Sequence, residues 1–231
     1  MDQPKRFLIT DLDPRSPIVE AFRTLRANIR FVGVDHHIQT LLITSSAPTE
    51  GKSAISVNLA VAYAMSGKKV MIMDADLRRP SLHKFLQCSN AFGLTNILLG
   101  QRTVPDSIQK TKVEGLSLIA SGPLPPNPAE LLGSNNMDSI LAQVEAEFDI
   151  LIIDAPPVLA VSDALLLAPK ADGCLLVTAS LGTKREAAKA AKAALDKAQA
   201  RVVGPVLNNF QADQASYYYY YYYTSDSEAK R

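Results

Sequence analysis

Residues 46–53 read S-A-P-T-E-G-K-S, the residue types of a loop that wraps phosphate. Gly51 lets the backbone come close to phosphate oxygens, and Lys52 can reach a β- or γ-phosphate. The Ser53 hydroxyl can take one coordination position of Mg²⁺. Backbone N–H groups and the helix expected from residue 52 add donors and partial positive charge. The first position is Ser46 where the common pattern has glycine. Taken alone, such a segment could be an ordinary strand-to-helix turn with an exposed lysine. Two acidic motifs argue otherwise. In V-M-I-M-D-A-D-L-R-R-P, Asp74 and Asp76 end an apolar run, and in D-I-L-I-I-D-A-P-P, Asp154 ends another. Two aspartates two residues apart on an extended chain point to one side of the pleat. One can orient Mg²⁺ while the other accepts a proton from an incoming hydroxyl. We assign Asp74 as the base and Asp76, with Asp154 and Ser53, to the metal, although the sequence does not separate the two roles. Arg78 and Arg79 either bind phosphate oxygens or form a solvated helix start.

A second chemical feature lies near the C-terminus. Tyr217, Tyr218, Tyr219, Tyr220, Tyr221, Tyr222 and Tyr223 are consecutive, and of the chain's 8 tyrosines only Tyr63 lies elsewhere. Seven amphipathic side chains in a row cannot all face a core, but each phenol can accept a phosphoryl group. An ATP site and a string of acceptors on one chain suggest an enzyme that phosphorylates itself.

For these groups to meet, the strands must end on one rim. Apolar runs at residues 40–44, 70–73, 116–120, 150–153, 174–177 and 202–207 read as buried strands. Helices are expected at residues 16–32, 52–65, 129–147, 162–168 and 184–200, the first from apolar residues at Val19, Phe22, Leu25, Ile29 and Val32. Continuous apolar strands alternating with helices predict an α/β fold, a mostly parallel central sheet with helices on both faces. In such a sheet the phosphate loop and the acidic strand ends share one edge. After residue 209 the pattern stops, and the polar, tyrosine-rich remainder reads as a flexible tail.

Bulk properties set outer bounds. The chain has 231 residues, enough for one large domain with a sizeable core. A net charge of +1 gives no general pull toward nucleic acid, and none is expected as a partner. Cys88 and Cys174 fit no metal spacing and suit a reducing cytoplasm. Asp149, Asp154, Asp163 and two prolines interrupt the most apolar stretch, residues 148–168, so it is no bilayer span.

With these residues assembled, the chain resembles the bacterial tyrosine kinases of capsule and exopolysaccharide synthesis, the BY-kinases. The likeness rests on E-G-K-S at residues 50–53, D-A-D-L-R at 74–78, Asp154, the tyrosine run, and E-A-F-R-T-L-R at 20–26, which matches an E-x-x-R-x-x-R assembly motif. It implies the fold of the MinD/ParA-like P-loop ATPases and transfer of the ATP γ-phosphate to tyrosine, with Mg²⁺. It places nucleotide contacts at Thr49, Glu50, Gly51, Lys52, Ser53 and Ala54, and at Asn208, which could equally cap a turn. Glu20, Arg23 and Arg26 would join subunits into a ring, octameric in relatives, although intrahelical salt bridging is the simpler reading of that spacing. Residues 1–209 then form the kinase domain, opened by an assembly helix at about 16–32, and 210–231 the tail. The expected partners are further copies of the chain, a membrane-anchored activator and a cognate tyrosine phosphatase. The expected location is the cytoplasm, with recruitment to the inner face of the membrane. The chain looks like the split form of the family, and a piece cut from a fused protein would look the same.

One rival shares the fold: a MinD/ParA-like positioning ATPase without kinase activity. Those proteins carry a signature lysine early in the phosphate loop, where this chain has Ala47. From residue 209 to 217 the tail spans roughly 26–29 Å when extended. That reaches either its own site or a neighbour's; the resemblance favours the neighbour's.

Overall fold

A computed structural model describes residues 7–32 and 37–210. Within these residues seven strands form one sheet: β1 (Thr40–Ser45), β2 (Val70–Asp74), β3 (Gln109–Lys110), β4 (Leu116–Ile119), β5 (Ile150–Asp154), β6 (Gly173–Ala179) and β7 (Val202–Asn208). Their spatial order is β3-β4-β2-β5-β1-β6-β7. Every pairing is parallel except the two-residue β3, which runs antiparallel along β4. Such a short strand leaves little free edge for mispairing. At the other edge β7 carries Pro205, tolerable there because an outer N–H has no ladder partner to lose.

The helices are α1 (Pro17–Val32), α2 (Lys52–Ala64), α3 (Leu82–Phe85), α4 (Leu94–Leu98), α5 (Val104–Ser107), α6 (Pro128–Leu132), α7 (Asn135–Glu147), α8 (Asp163–Leu167) and α9 (Arg185–Lys197). Alternation along the strands divides them between two faces. Leu41, Ile43, Ile72, Ile150 and Ile152 point toward α1 and α2, where Phe22, Val57 and Val61 meet them. Leu42, Met71, Met73, Leu151 and Ile153 point the other way, toward α4 to α9. Each central strand is therefore buried on both sides, which is why its sequence reads as one apolar run. The α/β architecture expected from the sequence is the one observed.

Three differences have local causes. The helix expected over 129–147 is two helices, because Gly133 ends α6 and Ser134 adopts an extended conformation before α7 begins. Residues 81–110 hold α3, α4, α5 and β3, each of five residues or fewer and too short to show a period. Finally, α1 is fastened to the body at its third turn. Arg26 Nη1 donates to the Ala62 carbonyl at 2.5 Å, near the C-terminus of α2, where the helix dipole favours a cation. The expected tail and its tyrosines lie outside the described residues.

Candidate active site

Apolar strands deliver the polar groups to one rim. β1 ends at Ser45, the loop follows, and α2 starts at Lys52. The loop turns through two left-handed residues, Thr49 at φ 66° and Gly51 at φ 88°. A side chain at position 51 would also collide with Asn208, since an added Cβ would lie 2.0 Å from its Nδ2. Glycine is thus required there by conformation, and any side chain would also force the Asn208 amide to move. One strand over, β2 and β5 run in register, so Asp74 sits directly beside Asp154.

Lys52 gathers the acidic groups. Its Nζ lies 2.9 Å from Asp76 Oδ2 and 3.2 Å from Asp154 Oδ2. Asp154 also accepts from the Ser53 hydroxyl at 2.6 Å and the Ser56 hydroxyl at 3.0 Å. Asp76 Oδ1 accepts the Arg79 N–H at 2.9 Å. Asp74 Oδ2 accepts the Ser81 and Leu82 N–H groups, each at 3.0 Å, at the start of α3. Its other oxygen, Oδ1, is buried and has no hydrogen-bond partner among the described residues.

Three carboxylates thus face one ammonium. Burial alone would push Lys52 below its usual pKa, but Asp154 and then Asp76 outweigh it and hold the ammonium charged. Burial, reinforced by the charge of Asp154, pushes Asp74 up to about 7, despite the N–H groups that stabilise its anion. Asp154 is raised too, chiefly by burial, with Lys52 and Ser53 working against the rise. A rim with surplus negative charge and an unpaired buried oxygen suits a further cation and a proton transfer.

The residues present fit Mg²⁺ and a nucleotide. Among the described residues no group of three or more His, Cys, Asp or Glu side chains could hold a metal by itself. Ser53 with one or two carboxylates is instead the partial set that Mg²⁺ uses when phosphate oxygens and water complete its shell. Gly51, Lys52, Ser53 and Ala54 line the start of α2, where backbone donors favour phosphate.

Other expected site residues take distinct positions. Thr49 is exposed at the loop tip. Glu50 turns inward, 4% exposed, with its carboxylate engaged by the loop itself. Asn208 ends β7, and its Nδ2 donates to the Glu50 carbonyl at 3.0 Å. Glu20 and Arg23 pair with each other on α1 at 3.1 Å, while Arg26 is committed to α2. Arg78 forms a two-pronged pair with the fully buried Asp163, both contacts at 2.9 Å, and Arg79 is exposed. Sequence reading missed Ser56 and Asp163. Ser56 had a signal, lying one helical turn after Lys52 on the buried face; Asp163, 85 residues from Arg78, had none.

The similarity comparisons agree with this geometry. A family model described as an AAA domain matches residues 38–181. The tyrosine-protein kinase YwqD of Bacillus subtilis is 41% identical over 212 residues, covering 92% of this chain and 90% of that protein. The putative tyrosine-protein kinase CapB of Staphylococcus aureus is 41% identical over 203 residues, covering 88% and 89%. Among solved structures, the kinase domain of the Escherichia coli tyrosine kinase ETK aligns with a TM-score of 0.86 at 31% identity, over 92% of this chain and 84% of that one. The chimerical protein CapA2B2 aligns with a TM-score of 0.86 at 38% identity, over 91% and 92%. MinD from Pyrococcus horikoshii, solved with Mg-ADP, shares the fold alone, at 22% identity and a TM-score of 0.65 over 76% of this chain and 72% of that one. The described residues include no helix long and apolar enough to cross a membrane. With its phosphate loop and acidic rim on a parallel sheet, the chain belongs to the bacterial tyrosine-protein kinases, enzymes built on a P-loop ATPase fold.

Proposed function

We propose that the chain transfers the γ-phosphate of ATP to the C-terminal tyrosines, Tyr217 to Tyr223, of a neighbouring copy of itself. The observation that carries this is Lys52 held between Asp76 and Asp154, beside an Asp74 oxygen that no described residue bonds. Lys52 would move onto the β- and γ-phosphates, and Ser53, Asp76 and Asp154 would hold Mg²⁺. The metal supplies neutralisation of charge on the phosphates. Thr49, Glu50, Gly51 and Ala54 belong to the nucleotide side of the site, and Asn208 stands where a base could be read.

In the transfer, a tyrosine Oη forms a bond to the γ-phosphorus while the bond to the bridging oxygen breaks, its electron pair leaving with ADP. The phenolic proton passes to Asp74. Asp74 is covered in this arrangement, so it accepts that proton only once neighbouring groups shift. ATP supplies one such shift by drawing Lys52 off the carboxylates.

Around this chemistry we place a ring of eight subunits joined through Glu20 and Arg23 of α1. We also place a membrane-anchored activator that recruits the kinase to the inner face of the cell membrane, and a phosphatase that resets the tail. The pathway served is capsule or exopolysaccharide synthesis. Each phosphorylated tyrosine adds about −1.5 to −2 charges, so a filled tail repels its neighbours and weakens the ring. The test is tail mass after incubation with ATP and Mg²⁺, with an activator fragment present. Successive additions of phosphate are expected on the intact chain, and none on Lys52→Met or on a chain lacking the tyrosines. An unmodified tail with continued ATP hydrolysis would replace this reading with that of a positioning ATPase.

A further inference from the structure

Glu50 is a buried acid that the transfer chemistry does not use. Its carboxylate accepts the Ser46 hydroxyl at 2.7 and 2.9 Å on its two oxygens, the Ala47 N–H at 2.9 Å, and the Thr183 hydroxyl. Three neutral donors of this kind offset the desolvation of an otherwise expensive buried group. Thr183 lies between β6 and α9, and its hydroxyl also accepts the Ala179 N–H at 2.8 Å, so it is fixed at both ends. The next residue, Ser180, donates its N–H to the Asn208 carbonyl at 2.9 Å. The Asn208 side chain then returns to the Glu50 carbonyl at 3.0 Å. These bonds close a circuit from the phosphate loop, through the end of β6 and the end of β7, back to the loop.

We propose that Glu50 and Thr183 are positioning residues for nucleotide. They lock the phosphate loop to residues 179–183 and to Asn208, and their side chains set ATP affinity through the loop's shape and not by contact with ATP. The loop needs such a fastening because Thr49, which is not a glycine, holds a left-handed conformation that surrounding contacts must maintain. Ser46, where the common pattern has glycine, supplies a hydroxyl that glycine could not. The proposal rests on the nucleotide site described above and deepens it. Glu50 acts through the loop's shape, and the circuit ends at β7, the strand after which the tyrosine-bearing segment begins.

The test uses the full chain with a fluorescent ATP analogue for binding and steady-state kinetics for transfer. Thr183→Val keeps the shape of the side chain and removes the hydroxyl. It is expected to weaken analogue binding and raise KM for ATP by about tenfold, with kcat at saturating ATP within about twofold. Glu50→Gln sets an N–H₂ against a donor and should match it. The double variant should be no worse than the more severe single one, because both cut the same link. Thr183→Ser should restore wild-type binding. If Thr183→Val does not fold, Ser46→Ala removes another donor to the same carboxylate and carries the test. Wild-type binding by Thr183→Val, additive losses in the double variant, or a collapse of kcat at unchanged KM would each overturn the proposal. A wild type that binds no nucleotide would remove the function proposed above and this inference with it. Equal binding by wild type and Thr183→Val removes this inference alone.

Discussion

The two ends of the central sheet both carry carboxylates and use them in opposite ways. At the base, where the strands begin, Asp172 accepts the N–H groups of Gln39 and Thr40 at 2.8 and 2.7 Å. Asp149 accepts the Lys69 N–H at 2.7 Å. That bond, helped by the nearby Lys68 and Lys69 charges, holds its pKa below the usual carboxylate range. These acids tie the start of β1 to β6 and the start of β2 to β5. At the rim, where the same strands end, Asp74 and Asp154 are fully buried and raised, and one Asp74 oxygen has no partner among the described residues. The base acids are solvated and paired, so they cost little and stabilise the fold. The rim acids are held at a cost that Lys52 and the nearby donors offset only in part. A carboxylate's place along a strand therefore predicts whether it serves stability or chemistry.

The sharpest way to break this comparison is to remove the Lys52 ammonium from the rim. Lys52→Met should lower tyrosine phosphorylation by about a thousandfold, since it removes the cation aimed at developing charge. It should also lower the melting temperature at neutral pH, because Asp76 and Asp154 lose their partner. Transfer within tenfold of wild type would mean that the rim is not the reaction site.

Asp74→Asn separates chemistry from stability. Transfer should fall by roughly a hundredfold, as expected for loss of a general base. Stability should rise, because a carboxylate whose folded pKa lies above its unfolded value binds more protons folded than unfolded. Stability of the wild type therefore falls as pH climbs from the ordinary carboxylate range to about 7. The variant escapes that loss, by roughly 2–4 kcal/mol at pH 8 and almost nothing near pH 4. Melting curves at the two pH values measure it; an unstable variant at pH 8 would show that the unpaired oxygen costs nothing.

The same group should mark the pH profile of the intact enzyme. A base that must be deprotonated and titrates at about 7 makes kcat/KM fall about tenfold per unit below that pH. The residual activity of Asp74→Asn should lack this limb. A limb that survives the substitution would transfer the base role to Asp76.

Much of this contrast was legible in the sequence, for a physical reason. Strands buried on both faces must be apolar throughout, so an aspartate at the end of V-M-I-M-D or I-L-I-I-D marks where the sheet meets solvent or ligand. The G-K-S turn fixed where α2 begins, because a left-handed glycine and a helix start leave local traces. Contacts between distant segments left none. Nothing near Asp163 announces Arg78, and nothing near Thr183 announces Glu50, 133 residues away. The inward turn of Glu50 was hidden for the same reason, since an E-G-K-S string reads alike whether the acid faces ligand or loop. The short elements α3, α4 and α5 are set by packing and caps, such as the Thr103 hydroxyl accepting the Asp106 N–H, and carry no repeat to detect.

The smallest expected effect tests the base. Asp172 is itself exposed, yet one of the N–H groups it accepts belongs to Thr40, which is fully buried at the start of β1. Water can replace the bond to Gln39 but reaches Thr40 poorly, so Asp172→Ala should cost about 1 kcal/mol, the net worth of a single such bond. For a chain of this size that is roughly 2–4 °C in Tm. KM for ATP and the pH limb should stay as in the wild type, because β1 is anchored again at its far end, where Thr44 Oγ1 donates to the Pro156 carbonyl at 2.7 Å. Were the variant instead to change KM as much as a rim substitution does, strain would pass freely along β1. The two ends of the sheet would then not be independent, and the division of labour between them would fail at its premise.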